Sequence, residues 1–298
     1  MIDTLCLGGG GIKALTYLGA LNYLEKKEYI NVSKIKTFSG TSAGSIISFL
    51  FNIGYTVKEL IDFALQFDFT KFEPDINCNI FLGEYGIDTG EKIMTAIKTF
   101  LNEKYKIEDI TFIELYQKTN IELNVVTTNY THSKCEIFNY KETPNISVLL
   151  AIRMSISVPF FFTPVEHNGC HYVDGGLTKN FPLSDFSPEN SLGLTIINKN
   201  LNNMNSLQNY LHGLISITID CISMISIKEA NKYNIKYNYI EICCKNRNPV
   251  DFKLDKEAIN FFLEDGITEA KKYYRNFEIR KVMDDLINKC IEISDKNK

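Results

Sequence analysis

The chain has 298 residues, of which 45% are hydrophobic and 23% charged, and its formal net charge is −4. This length and apolar content allow one large α/β domain or two ordinary ones. Because no repeat, low-complexity tract or long linker interrupts the chain, we predict one α/β domain that spans residues 1–298. Acidic and basic residues are mixed along the chain, which argues against nucleic acid as a partner, because nucleic-acid-binding proteins need a basic field.

The chain begins with a predicted strand, "DTLCLG", followed by four consecutive glycines and a helix over residues 14–26. Four glycines are costly to order, so a merely connecting loop rarely needs them. The spacing does not match a dinucleotide loop, and no G-K-[ST] follows, so phosphate binding is disfavoured. The loop does suit an oxyanion hole, because glycine amides in an exposed loop can donate to a carbonyl oxygen that becomes negative. Its candidate residues are Gly9, Gly10, Gly11 and the following Lys13.

The second predicted strand, "IKTFSG", leads into the pentapeptide G-T-S-A-G and a helix over residues 45–52. A serine at a sharp strand-to-helix turn is exposed, and the flanking Gly40 and Gly44 let the backbone pass. The helix that follows directs free amides and the positive end of its dipole at the site. Ser42 is therefore the candidate nucleophile, and the glycine loop and this turn make sense as one site.

The middle of the chain carries local signals for helices and one long irregular segment. Thr56 with Glu59, and Thr111 with Glu114, are spaced as capping boxes, and residues 91–103 have a helical pattern. Residues 68–90 contain no predicted helix or strand. A loop of this length in a compact domain is often functional, so we expect a lid or a binding loop there.

A nucleophilic serine needs a base, and two residues are candidates. His212 is the histidine that could follow an acid in chain order, but it stands inside an apolar helical pattern. The segment "CHYVDGG" ends a predicted strand at Asp174, followed by Gly175 and Gly176. Such a carboxylate would lie at a sheet edge, where α/β sites form, although Asp-Gly-Gly is also an ordinary turn signal. We favour Asp174, with His212 as the alternative.

The last third of the chain carries no motif, only periodicity. Residues 210–227 form an apolar run that contains His212 and Asp220, which argues against a transmembrane helix and favours a mostly buried helix, with an interfacial helix as the alternative. The N-terminus does not resemble a secretory signal, so we expect a cytoplasmic protein. The eight cysteines lack paired spacing, which argues against disulfides and a zinc site.

The predicted strands alternate with helices, which implies crossover connections. The predicted fold is an α/β three-layer sandwich with a mainly parallel central sheet flanked by helices. Helices over residues 206–236 and 256–289 complete it. The later strands are "ELNVVTT", "CEIFNY", "CHYVD", "LGLTIIN" and "YIEICC".

These motifs stand in one order, and together they resemble the patatin-like phospholipases, lipid acyl hydrolases that use a Ser-Asp dyad. The resemblance covers roughly residues 1–185, including "AIRMSISVPFFFTPV" with Ser155, Pro159, Phe162 and Pro164. The family's last motif glycine is Ala14 here. The resemblance implies an acyl-enzyme on Ser42 with Asp174 as base, acting on glycerophospholipids at a membrane surface.

The sequence contains no cluster of carboxylates that suggests a calcium site, so we predict an activity without a metal ion or cofactor. Peripheral contact with membranes is expected because the substrate lies in a bilayer, and a host activator protein is a candidate partner. Acyl transfer to an alcohol and hydrolysis of neutral glycerides remain alternatives at the same site. A catalytically silent lipid-binding protein and a nucleotide-binding module built on residues 8–11 are alternatives of other classes.

Overall fold

Alternating apolar strand segments and helices build a central sheet, as the sequence predicts. The computed structural model describes residues 2–73, 83–199, 207–232, 235–245 and 252–296. Within these residues, eight strands form one sheet: β1 (Thr4–Leu7), β2 (Thr37–Thr41), β3 (Glu122–Asn129), β4 (Lys134–Phe138), β5 (Val165–His167), β6 (Cys170–Asp174), β7 (Ser191–Lys199) and β8 (Asn238–Lys245).

The helices flank this sheet, and all but those over Val148–Ser155 and Gly176–Lys179 lie where the local signals predict a helix. Both capping boxes form: each threonine hydroxyl accepts from the amide three residues on, and each glutamate accepts from the threonine amide. The helices are α1 (Leu15–Lys26), α2 (Ala43–Asn52), α3 (Val57–Gln66), α4 (Glu91–Tyr105), α5 (Phe112–Thr119), α6 (Val148–Ser155), α7 (Gly176–Lys179), α8 (Leu207–Lys232) and α9 (Lys256–Lys296).

The sheet is mainly parallel, and its strand order is β5-β6-β3-β2-β1-β7-β8, with β4 also paired to β3. β1 and β2 are parallel to each other, and so are β2 and β3, β1 and β7, and β7 and β8. β4 and β6 instead run antiparallel to β3, and β5 runs antiparallel to β6. The carboxyl ends of β1 and β2 therefore lie at one edge of the sheet, where ligands bind in open α/β sheets.

The register on β3 brings two strands end to end. β4 pairs with residues 125–129 and so occupies one edge of β3. β2 pairs with residues 122–126 and β6 with residues 127–129, so both share the other edge. Thr41 lies opposite Val126, and Asp174 lies opposite Thr127. Because β6 runs against β2, the last residues of the two strands meet.

The C-terminal third completes the sheet and covers one face. β8 pairs with β7, and the first half of α9 packs along α1, with Leu263 against Gly19 and Gly266 against Thr16. Farther along, Tyr273 and Phe277 of α9 contact the ring of Tyr29, just beyond the end of α1. The rest of α9 extends away from the edge that carries the glycine loop.

The expectation of a mostly buried helix over residues 210–227 is wrong for the side chains that the structure describes. α8 covers these residues, yet of its described side chains only that of Ser223 is buried. The apolar composition predicted burial, but α8 lies on the outside of the sheet's carboxyl edge, where few elements can cover it. Within the described ranges, no helix is long and apolar enough to cross a bilayer.

Candidate active site

The turn between β2 and α2 holds Ser42 in a strained conformation. Its φ is 52° and its ψ is −128°, a region that non-glycine residues rarely adopt. The Ser42 amide donates to Ser155 Oγ at 2.9 Å, and Ser155 Oγ donates to the Val126 carbonyl at 2.6 Å. The Ser45 hydroxyl donates to the Ser42 carbonyl at 2.6 Å. Buried bonds from α6, β3 and α2 thus fix the strained backbone of this serine.

The flanking glycine Gly44 is required by close packing. A Cβ at Gly44 would lie 2.6 Å from the Gly8 carbonyl oxygen and closer still to that of Leu7, which real Cβ atoms do not do. The start of α2 can therefore sit against the end of β1 only because Gly44 has no side chain. This contact brings the glycine loop beside Ser42.

Asp174 ends β6 and faces the Ser42 hydroxyl. Its carboxyl is 2% exposed, and Oδ1 accepts a hydrogen bond from the Gly176 amide at 2.7 Å. Burial raises the pKa of Asp174 to about 6, although hydrogen bonding by the Ser42 hydroxyl and the Gly176 amide lowers it. From the described residues, Oδ2 accepts no hydrogen bond of standard geometry. The hydroxyl–carboxyl contact is thus looser than a standard hydrogen bond, as catalytic contacts often are before substrate binds.

The glycine loop lies directly against Ser42. A Cβ at Gly9 would lie 3.2 Å from Ser42 Cβ. The Gly9 amide already donates to the side chain of Asn180 at 3.1 Å and to its carbonyl at 3.2 Å. Gly11 has a φ of 54° and lines the same cavity as Ser42. Within the described chain, no side chain or loop carbonyl accepts from the amides of Gly10 and Gly11, so these two can donate to a ligand.

The side chain of Lys13 is buried next to β8 and α8. It is 1% exposed, and burial lowers the pKa of its ammonium, while Cys244 of β8 and Asp220 of α8 raise it. The assignment of Lys13 to the oxyanion hole stays a prediction. Ala14, which replaces the family's glycine, is buried and lines the cavity without disrupting the turn.

An apolar cavity of about 170 Å³ opens beside Ser42. Ile46 and Leu50 of α2 line one side of the cavity, and Phe63 of α3 and Phe100 of α4 line another. The lining contains no charged side chain. Phe69, Phe72 and Phe162 complete its walls. A cavity of this kind suits an acyl chain, since apolar surface leaves water when the chain enters.

The first described end of the predicted loop over residues 68–90 reaches this cavity through Phe69 and Phe72, whereas Ile87 and Asp88 at the other end line a neighbouring open groove. Phe69 is buried at the first end. At the other end, the amides of Ile87 and Asp88 donate to the Phe161 carbonyl at 2.9 and 3.0 Å. Residues 74–82 lie outside the described residues, so the lid function of this loop stays a prediction.

Two polar residues that sequence reasoning did not single out connect separate segments around the site by hydrogen bonds. Asn180 accepts from Gly9 and donates to Ser223 Oγ at 3.0 Å, which links the glycine loop to α8. Arg153 on α6 donates to the Thr89 carbonyl at 2.8 Å, to Ser157 Oγ at 2.6 Å and to the Thr163 carbonyl at 2.9 Å. Arg153 stands inside the quoted segment "AIRMSISVPFFFTPV", and Asn180 follows Gly176 by four residues, but only the folded chain shows their partners. The side chain of His212, the alternative base, lies outside the described residues.

Comparison with known proteins gives a consistent family match. A family model described as Patatin-like phospholipase matches residues 5–187. Uncharacterized protein R571 of Acanthamoeba polyphaga mimivirus is 30% identical over 283 residues, which are 91% of this chain and 93% of that protein. Probable lipid hydrolase 463L of Invertebrate iridescent virus 6 is 37% identical over 182 residues, which are 60% of this chain and 61% of that protein.

Among solved structures, VipD from Legionella pneumophila superimposes with a TM-score of 0.57. The alignment covers 92% of this chain and 67% of VipD at 17% sequence identity. At this identity the likeness concerns the fold, and it includes the C-terminal third, where the sequence carries no family motif.

Proposed function

This chain belongs to the patatin-like phospholipase family of lipid hydrolases, and we propose that it hydrolyses acyl ester bonds of membrane glycerophospholipids by means of Ser42 and Asp174. The observation that carries the proposal is the position of the Ser42 hydroxyl between a buried carboxyl and an apolar cavity. The carboxyl can take a proton, the cavity can hold an acyl chain, and the strained turn presents the hydroxyl to both.

In the first step, Ser42 Oγ attacks the ester carbonyl carbon while the Asp174 carboxylate takes the hydroxyl proton. The carbonyl oxygen becomes negative, and the amides of Gly10 and Gly11 are the donors positioned to stabilise it. The ester C–O bond then breaks. The lysophospholipid leaves as an alcohol with the proton from Asp174, and the acyl group stays on Ser42.

In the second step, water attacks the acyl-enzyme while Asp174 takes a proton from it. The bond between the acyl carbon and Ser42 Oγ breaks, the fatty acid leaves, and Ser42 regains its proton. The nucleophile, the base and the oxyanion donors all come from the protein, so we propose a reaction without a metal ion.

The experiment is fatty-acid release from phosphatidylcholine vesicles in the presence of EDTA. We expect release by the wild type and a loss of at least about a thousandfold in Ser42→Ala and Asp174→Asn. Full activity of Asp174→Asn would contradict the assignment of Asp174 as the base and would make His212 the candidate base. Release from triacylglycerol emulsions but not from phosphatidylcholine would assign the site to neutral glycerides, and transfer to added lysolipid would assign it to acyl transfer.

A further inference from the structure

Helix α8 carries a row of exposed apolar side chains on one side. Tyr210, Leu214, Ile217, Met224 and Ile225 are each between 45% and 55% exposed. Their successive separations are four, three, seven and one residues, which places all five within about 100° of arc on one face of a helix. We call these five residues the apolar stripe of α8. Exposed apolar rows of this length are unusual on a protein surface and mark an interaction site.

The opposite side of the same helix contacts the candidate active site. Ser223 Oγ accepts from Asn180, which in turn accepts from the Gly9 amide. Ile219 Cδ1 lies 3.2 Å from where a Cβ at Gly176 would stand, two residues after Asp174. One side of α8 therefore contacts the glycine loop's partner Asn180 and the turn after Asp174, and its other side forms part of the outer surface of the protein.

The charges of α8 suit a bilayer surface better than a protein partner. Between positions 210 and 227, Asp220 is the one residue among Asp, Glu, Lys and Arg, and His212 is the one histidine. Asp220 lies close enough to the buried Lys13 to raise the pKa of that ammonium. A tyrosine stands at one end of the stripe and the exposed Lys228 just beyond the other end. Tyrosine and lysine are side chains that anchor helices at the boundary between lipid and water.

We propose that α8 is the surface by which this protein docks onto a phospholipid bilayer, with its apolar stripe in contact with lipid and its inner face on the active site. The inference rests on the proposed function, because a phospholipid must leave a bilayer to reach Ser42. Docking through α8 would place the segments around Ser42 one helix diameter from the lipid surface, about 10 Å.

A second apolar row on α9 provides a matched control. It comprises Ile279, Val282, Met283, Leu286 and Ile287, which are between 49% and 58% exposed. It lies beyond Tyr29 and so at the end of α1 farthest from the glycine loop. By helical spacing, the charged residues of "EIRKVMDDLI" fall on the other side of α9, so the two rows are alike in length and exposure and differ in their distance from the candidate active site.

The chain contains no tryptophan, so one introduced tryptophan reports its own surroundings. The experiment places Ile217→Trp or Val282→Trp in full-length Ser42→Ala protein, which leaves the vesicles intact. With phosphatidylcholine vesicles, we expect a blue shift and quenching by brominated lipid for the tryptophan at position 217 and neither change at 282. No response at 217, or a response at 282 alone, would overturn the proposal. A concentration-dependent shift at 217 without vesicles would assign the stripe to a second copy of this chain and would also overturn it.

Activity separates docking from catalysis. We expect Leu214→Ser with Ile217→Ser to weaken hydrolysis of vesicle phospholipid at least about tenfold and to change hydrolysis of soluble p-nitrophenyl butyrate less than twofold. Val282→Ser with Met283→Ser should change neither. Equal vesicle hydrolysis by the α8 variant and the wild type would exclude docking through α8. If the wild type cleaves neither substrate, the proposed function fails, whereas the tryptophan measurement still decides the docking surface.

Discussion

The buried carboxyl of Asp174 sets the pH at which the proposed reaction can begin. Its base form is the deprotonated one, and burial raises its pKa to about 6. We therefore expect kcat/KM for a soluble ester to rise with pH through about 6 and to level off above 7, because kcat/KM reports the free enzyme. Initial rates between pH 4.5 and 8.5 test this. A profile that is flat across this range would show that Asp174 is not the base.

The same pKa shift has a consequence for stability. An aspartate ionises near pH 3.9 in the unfolded chain, so the folded state binds more protons than the unfolded state between about pH 4 and 6. Ionisation of Asp174 in the folded protein therefore lowers the free energy of unfolding at pH values above this range. We expect Asp174→Asn to gain stability relative to the wild type as pH rises from 4.5 to 8, by about 1–3 kcal/mol. Urea unfolding at both pH values measures the difference in the free energy of unfolding between the variant and the wild type. The same difference at both pH values would contradict the raised pKa of Asp174.

Asn180 is a positioning residue for the glycine loop. Its side chain accepts from the Gly9 amide and donates to Ser223. We expect Asn180→Ala to lower kcat about 10-fold to 100-fold with little change in KM, because a displaced loop misplaces the oxyanion donors of Gly10 and Gly11. Ser223→Ala keeps the bond to Gly9 and should lower kcat less. A rise in KM with unchanged kcat would assign Asn180 to substrate binding instead.

Ser42 and the glycines stand in short motifs whose backbone demands, namely small neighbours and a sharp turn, are visible in the sequence. Asp-Gly-Gly is also an ordinary turn signal, so the role of Asp174 came from the family resemblance. The structure brings these residues together, and their catalytic roles stay predictions. The burial of Lys13 was not predictable, because its neighbours Asp220 of α8 and Cys244 of β8 lie more than 200 residues away in the chain. The partners of Asn180 and Arg153 are nearer in the chain, but the segments that carry them come together only in the folded protein.

At the scale of elements, Arg153 connects α6 to two loops around the cavity. Its guanidinium donates to backbone or hydroxyl oxygens at Thr89, Ser157 and Thr163. We expect Arg153→Met to destabilise the protein by about 2–4 kcal/mol, because buried acceptors lose their donors. Arg153→Lys should recover only part of this loss, since an ammonium cannot reproduce the planar fork. Urea denaturation of the three proteins measures both effects. Wild-type stability of Arg153→Met would contradict the role of Arg153 in connecting α6 to these two loops.

Local signals predicted most helices and strands, including both capping boxes. They could not predict the direction in which β6 pairs with β3. A chain of alternating strands and helices predicts parallel pairing, and three pairings prove antiparallel. Strand direction depends on long-range packing, yet it is the antiparallel β6 that brings Asp174 to the end of β2. The exposure of α8 was hidden similarly, because apolar composition does not reveal what covers a helix.

At the scale of the whole molecule, the apolar cavity should set the acyl-chain preference. Phe72 and Ala96 line both this cavity and a neighbouring open groove, so they form the wall between them. We expect Ala96→Phe to lower the hydrolysis of palmitoyl esters relative to butyryl esters about tenfold, because the added ring occupies space that a long chain needs. Thr99→Phe, which changes only the groove, is the control. Equal effects of the two variants would exclude the cavity as the acyl site.

The central claim is that an acyl-enzyme forms on Ser42 with the help of Asp174. The most direct measurement is labelling of the full-length protein with a serine-directed alkyl phosphonate, followed by mass spectrometry of its peptides. We expect one adduct, on Ser42, that is absent in Ser42→Ala and forms at least about a hundredfold more slowly in Asp174→Asn. An adduct on another residue, or equal labelling of Asp174→Asn and the wild type, would contradict this claim.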